Sequence, residues 1–170
     1  MILKPQDVVI LLAIALSPDK DSTNRSLAAD LFMSTSEISG GINRLRSARL
    51  LRKDIKKPVK RAMEEFLVCG VKYSFPPDRG GQTRGLPTAY AAPPLSHLIV
   101  QPDSDPPVWP DPLGTVRGYS FSPLYKTVPQ AARGNSLLYE MLALVDALRD
   151  GRPREEEAAK QELKKRLQSL

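Results

Sequence analysis

The alternation of apolar and polar positions predicts three short helices at the start of the chain. Residues 4–17 return apolar side chains to one face at helical spacing, and Leu27–Leu31 continues as a short second helix after a polar turn. Ser34 with Glu37 three residues later has the pattern of a capping box, which satisfies two unpaired backbone N–H groups at a helix start. A third helix should therefore begin at Ser34 and end near Ala48.

The outer face of this third helix carries the most informative residues of the chain. Apolar side chains on its other side would hold it on the two preceding helices, with Ala28 as the small residue at their crossing. Asn43 can pair with adenine, and Arg44 with guanine or a phosphate. Gly40 and Gly41 would let the backbone approach a duplex closely, or would let another helix pack tightly. Small or hydrogen-bonding groups that suit a DNA major groove make up the face: Thr35, Ser36, Ser39, Gly40, Asn43 and Arg44.

Positive charge is concentrated in the same region. The chain carries 25 Lys and Arg against 19 Asp and Glu, a formal net charge of +6. From Ile42 to Arg61 there are nine cations and one anion, so this one segment accounts for the whole positive excess of the chain. This density favours a polyanionic partner, with a solvated helix face as the alternative. Since the run adjoins the predicted third helix, we expect Arg46, Arg49 and Lys53 to contact DNA.

Residues 27–51, from Leu27-Ala28-Ala29-Asp30-Leu31 through the capping box to Arg49-Leu50-Leu51, resemble the winged helix-turn-helix of MarR-type bacterial transcriptional regulators. The resemblance implies a sequence-specific protein that binds double-stranded DNA. It covers a limited part of the chain and has two departures. Phe32 occupies the turn position that usually holds glycine, and the basic segment after Leu51 runs toward a helix where those regulators place the wing hairpin.

A displaced wing is one interpretation of the residues that follow. Pro58 would open a fourth helix that ends at Gly70, and Val71–Phe75 alternates like a half-buried strand. That strand could pair with Thr88–Ala92, leaving residues 76–85 at the tip with Arg79 and Arg84 positioned to contact DNA phosphates or a minor groove. A surface loop with incidental arginines is the alternative, and the sequence leaves open whether 71–92 is the wing.

The middle of the chain is rich in proline, and its end is helical. Residues 76–134 hold 12 of the 16 prolines but enough apolar side chains to favour an ordered, irregular wrap over disorder. Its aromatic residues form the core of this wrap or, alternatively, line a ligand pocket: Trp109, Tyr119, Phe121 and Tyr125. Ser136–Asp150 has a wide apolar arc and should be buried, either within the monomer or against a second copy. A last helix carries a narrow apolar stripe that indicates a partner-facing seam: Ala159, Leu163 and Leu167.

These elements predict a mainly α fold with a small β-hairpin. Residues 1–92 would form the winged helix-turn-helix domain, 93–134 the Pro-rich irregular wrap, and 135–170 the C-terminal helices that form a dimerisation element.

The sequence offers little for catalysis. His97 and Cys69 are the single histidine and cysteine, no metal-ligand cluster or phosphate-binding glycine motif is present, and Cys69 lies in an apolar run where a buried thiol is expected. We therefore expect no enzyme activity, no metal and no cofactor, with His97 in a structural role. The apolar stretch Val8–Leu16 is too short to span a bilayer and lacks the flanks of a secretion signal, so a cytoplasmic protein without a membrane partner is expected.

The leading hypothesis is a homodimeric transcriptional regulator on a palindromic operator in double-stranded DNA. The alternative is a protein-interaction adaptor, or an antitoxin-like protein, whose middle segment and terminal helices hold a co-encoded partner that the sequence does not identify.

Overall fold

The computed structural model describes residues 1–17 and 22–170, and most of the predicted polar turn between the first two helices lies outside these residues. The fold is mixed α/β and mostly helical, with a small three-stranded sheet. The helices are α1 Pro5–Leu16, α2 Asn24–Leu31, α3 Thr35–Ser47, α4 Lys60–Glu65, α5 Val71–Ser74, α6 Leu95–Leu98, α7 Val128–Gly134, α8 Ser136–Asp150 and α9 Pro153–Gln168. The strands are β1 Arg79–Pro87, β2 Pro107–Pro110 and β3 Val116–Phe121. A π-helical stretch, Phe66–Gly70, joins α4 to α5, and a 3₁₀ turn, Ala89–Ala91, follows β1.

The helix α8 lies at the centre of the molecule. Every residue from Met141 to Arg149 is buried, as expected from its wide apolar arc. It packs against α1, α5, α7 and α9 and against the 3₁₀ turn after β1. One hydrophobic core therefore includes residues from all three predicted segments of the chain.

A buried carboxylate ties α8 to the sheet. Asp146 accepts hydrogen bonds from the Thr88 hydroxyl and from the indole N–H of Trp109, both at 2.7 Å. Its other oxygen accepts from Arg149 at 2.7 Å, and Arg149 also donates to the carbonyl of Phe75 at 2.8 Å. Burial raises the pKa of Asp146, while Arg149 and the hydrogen bonds oppose that rise. These contacts compensate for the cost of burying the Asp146 carboxylate in an apolar core.

Each strand of the sheet pairs with the other two. Strand β1 is antiparallel to β2 and β3, which are parallel to each other. The closure brings backbones so near that a Cβ on Gly85 would lie 2.0 Å from the carbonyl oxygen of Trp109. The Pro-rich segment is thus ordered but more regular than predicted, and Trp109 and Phe121 are buried in the core, whereas Tyr119 and Tyr125 are half-buried.

The predicted hairpin of Val71–Phe75 with Thr88–Ala92 is wrong. Residues 71–74 form α5, because Met63, Leu67 and Val71 recur at helical spacing and share the buried face. Residues 79–85, predicted as the hairpin tip, belong to β1 and pair with β2 and β3 instead.

The predicted seam on α9 is also wrong as a partner-facing surface. Ala159, Leu163 and Leu167 are buried within the chain, where α9 packs on α8 and α4. A narrow stripe was sufficient for this packing because α8 supplies a broad apolar surface opposite it.

The cysteine prediction is wrong as well. Cys69 is exposed, because Leu67 and Val71 on either side of it take the buried face of the helical stretch. His97 lies exposed on the short helix α6.

Candidate nucleic-acid interface

The helix α3 begins at the predicted capping box. The Ser34 hydroxyl accepts from the Glu37 backbone N–H at 3.1 Å, and the Glu37 carboxylate accepts from the Ser34 N–H at 2.8 Å. Ile38, Ile42 and Leu45 are buried against α1 and α2. The opposite side is open to solvent and carries four of the predicted contact residues, all exposed: Thr35, Ser36, Ser39 and Asn43.

The side chain of Arg44 forms an ion pair with Asp7 within the chain. Its guanidinium donates to both carboxylate oxygens of Asp7, with N–O distances of 2.8 and 2.7 Å. The side chain of Arg44 is 14% exposed and that of Asp7 is 1% exposed. The hydrogen bond that Arg44 donates to Asp7 is the main cause that raises the pKa of Arg44. This geometry supports a clamp between α1 and α3 in place of the predicted base contact.

The glycine pair of α3 divides into two roles. A Cβ on Gly41 would lie 2.4 Å from Ile10 Cδ1, so this glycine permits close packing of α3 on α1. Gly40 is half-buried beside Arg44, and a Cβ there would lie 3.2 Å from the Arg44 guanidinium. Tight helix packing, the second of the two interpretations, therefore explains Gly41.

Two residues in the left-handed backbone conformation end α2 and α3. Phe32 has a φ of 54° in the turn between α2 and α3, the conformation that glycine adopts most easily. Arg49 has a φ of 62°, and the N–H of Leu50 donates to the carbonyl of Leu45 at 2.9 Å, which closes a Schellman motif after α3. The chain is thereby reversed, and Arg49 is left exposed beside the end of α3.

A basic hairpin follows α3 directly. Leu51 and Pro58 form an antiparallel bridge, and the Val59 N–H donates to the Leu50 carbonyl at 2.9 Å. We call residues 51–58 the basic hairpin. Its loop exposes Arg52 and Lys53. The expectation that this segment simply runs into a helix is wrong, because α4 begins only at Lys60.

The remaining predicted cations are less available. Arg46 is half-buried, and its Nε is a buried nitrogen without a hydrogen-bond partner among the described residues. Arg79 pairs with Asp150 at the end of α8 and lies over the Tyr119 ring. Arg84 is exposed on β1 opposite Arg117, in the sheet and outside the basic hairpin. Of the predicted cations, Arg49 and Lys53 are thus the exposed ones in the segment that directly follows α3.

Sequence reasoning missed a segment that packs beside the start of α3. The hydroxyl of Tyr125 donates to the Glu37 carboxylate, and the Thr127 hydroxyl donates to the Leu31 carbonyl at 2.8 Å. We call residues 124–127 the strap. The hydrogen bond from Tyr125, followed by those from Ser34, lowers the pKa of Glu37 to about 2. No local signal marks the strap, because its partners lie some 90 residues earlier.

Comparison with known protein families, with curated proteins and with solved structures finds no match for this chain. Within residues 1–17 and 22–170, no helix combines the length and apolar character needed to cross a membrane. The same residues contain no group of three or more His, Cys, Asp or Glu side chains that could hold a metal ion.

Proposed function

We propose that this protein is a transcriptional regulator that binds specific sequences in double-stranded DNA through α3, with α2 and α3 as a helix-turn-helix. The observation that carries the proposal is the exposed polar side of α3, held rigidly over α1 and α2 by a buried apolar side. A recognition helix needs this division, because base edges are read by side chains that project freely from a fixed backbone.

The basic hairpin supports the proposal as a short wing. It follows α3 immediately, which is where winged proteins place this element, and it presents Arg52 and Lys53 to solvent. Arg49, at the end of α3, adds a third exposed cation. These residues would contact phosphates, while Ser39 and Asn43 would read bases.

A selection of bound duplexes from random DNA, followed by anisotropy titrations, tests the proposal. Asn43→Ala should weaken binding to the selected site by about 5- to 150-fold, the range for one bidentate base contact, and leave random DNA nearly unaffected. Arg49→Ala with Lys53→Ala should weaken both and reduce the slope of log K against log salt by about 1.8 per protomer. Lys165→Ala is a matched control, since this lysine is 74% exposed on α9. Selection that enriches no sequence would refute the proposal.

We also propose homodimerisation on a palindromic operator, and its support is that two-fold symmetry is the commonest arrangement of soluble oligomers. The α9 stripe does not support it, because the stripe is buried within the chain. Sedimentation of the protein with and without its selected duplex measures this directly. The adaptor alternative has less support, since the middle segment and the terminal helices use most of their apolar side chains in the core and leave only a few exposed, among them Leu98, Val100 and Leu113.

A further inference from the structure

The strap places a cation beside the start of α3. Lys126 lies between Tyr125, which donates to the Glu37 carboxylate, and Thr127, which donates to the Leu31 carbonyl at 2.8 Å. The two anchors fix the backbone on both sides of the lysine. The side chain itself is exposed, with Nζ 5.8 Å from the centre of the Tyr125 ring.

The positive charge of Lys126 counteracts the negative charge of Glu37, which would otherwise hinder DNA binding. Glu37 stands in the first turn of α3, next to the exposed Thr35 and Ser36. An ionised carboxylate there would repel the phosphates that border a groove. Hydrogen bonds from Ser34 and Tyr125 occupy the carboxylate oxygens, and the positive charge of Lys126 acts on Glu37.

We propose that Lys126, positioned by the strap, binds a DNA phosphate that flanks the groove entered by α3. This inference rests on the proposed function and adds a contact from a part of the chain that ordinary helix-turn-helix reasoning does not include. The lysine is held in place before DNA arrives, so little backbone ordering opposes the contact. The ligand is the phosphodiester backbone, so the contact is independent of base sequence.

The experiment compares Lys126→Ala with Lys165→Ala, which removes an equal charge from the exposed face of α9. Binding of both variants and of the unaltered protein to a 30-bp duplex is measured by anisotropy between 50 and 200 mM salt. For each protomer in the complex, Lys126→Ala should reduce the slope of log K against log salt by about 0.9 and weaken binding about eightfold at 0.1 M salt. Lys165→Ala should change neither quantity.

Tyr125→Phe tests whether the strap positions the lysine. It removes the hydroxyl that donates to Glu37 and keeps the ring. If Tyr125 acts through Lys126, the two substitutions together should weaken binding less than the product of their separate effects. Multiplicative effects would overturn the positioning role of the strap.

The outcomes separate this inference from the proposed function. Binding by the unaltered protein with equal slopes for Lys126→Ala and Lys165→Ala would overturn the phosphate contact and leave the function of α3 intact. A protein that binds no duplex at any salt concentration would overturn both. A lower slope for Lys126→Ala alone would establish the contact, since a loss of folding stability does not change the number of ions released per complex.

Discussion

Replacing Asp7 by alanine should destabilise the protein strongly, because it breaks the clamp between α1 and α3. Asp7 is buried and accepts two hydrogen bonds from Arg44 and one from the backbone N–H of Lys4, at 2.7–2.8 Å. Removing one partner of a buried ion pair costs about 3–5 kcal/mol. Losing the N-terminal capping contact costs about 1 kcal/mol more.

The exposed fraction of Arg44 reduces this cost. At 14% exposure its side chain gains some hydration once Asp7 is gone, so the lower part of the range applies. We therefore expect Asp7→Ala to lower the free energy of unfolding by about 4 kcal/mol, from about 3 kcal/mol for the ion pair and about 1 kcal/mol for the cap. For a domain of this size that corresponds to a fall in Tm of about 8–16 °C.

Guanidinium denaturation followed by circular dichroism measures the change. Asp30→Ala is the matched control, because Asp30 is exposed on α2 and its loss should cost less than about 0.5 kcal/mol. Arg44→Ala should also be destabilising, and the double variant should lose less than the sum of the two single changes. A loss below about 1 kcal/mol for Asp7→Ala would refute the clamp. The same series shows whether Arg44 contacts DNA, since the clamp predicts unchanged affinity at temperatures where Arg44→Ala remains folded.

Three further outcomes follow from the geometry. The pKa of Glu37 in the folded protein is about 2, below its usual 4.5. The stability that ionised Glu37 contributes is therefore complete above pH 4.5 and is lost as the pH falls toward 2. Tyr125→Phe should reduce this loss in denaturation curves recorded across that pH range. Gly85→Ala should unfold the sheet, because its Cβ would lie 2.0 Å from a backbone oxygen, whereas Gly81→Ala, with nothing within 4 Å, should leave the Tm unchanged or raise it. Cys69 should react with a thiol-specific chromogenic disulfide in the native protein at a rate close to that of the denatured chain; protection of the native thiol would contradict its exposure.

Local signals predicted the first helices and the outer face of α3, because capping and helical periodicity act over a few residues. The Ser34–Glu37 box fixed the start of α3 to within one residue. The basic hairpin also had a local signal: the apolar pairs at 50–51 and 58–59 flank six residues, five of them charged, as the two sides of a tight loop do.

Long-range contacts account for the predictions that failed. The sequence predicts Arg44 as a DNA contact because its partner, Asp7, lies 37 residues earlier and no local pattern near either residue indicates the pair. The alternation at 71–75 was too short to separate a strand from a helix. The α9 stripe predicts an external seam because the sequence does not show which side of α8 faces it.

The central position of α8 has a consequence for synthesis in the cell. About 120 residues separate the end of α1 from the start of α8, against which α1 packs. At the usual speed of translation, roughly 5–20 residues per second, the ribosome needs about 6–24 s to cover that distance. During this interval α2 and α3 can already pack on α1, but the surface of α1 that contacts α8 stays uncovered until α8 has been synthesised.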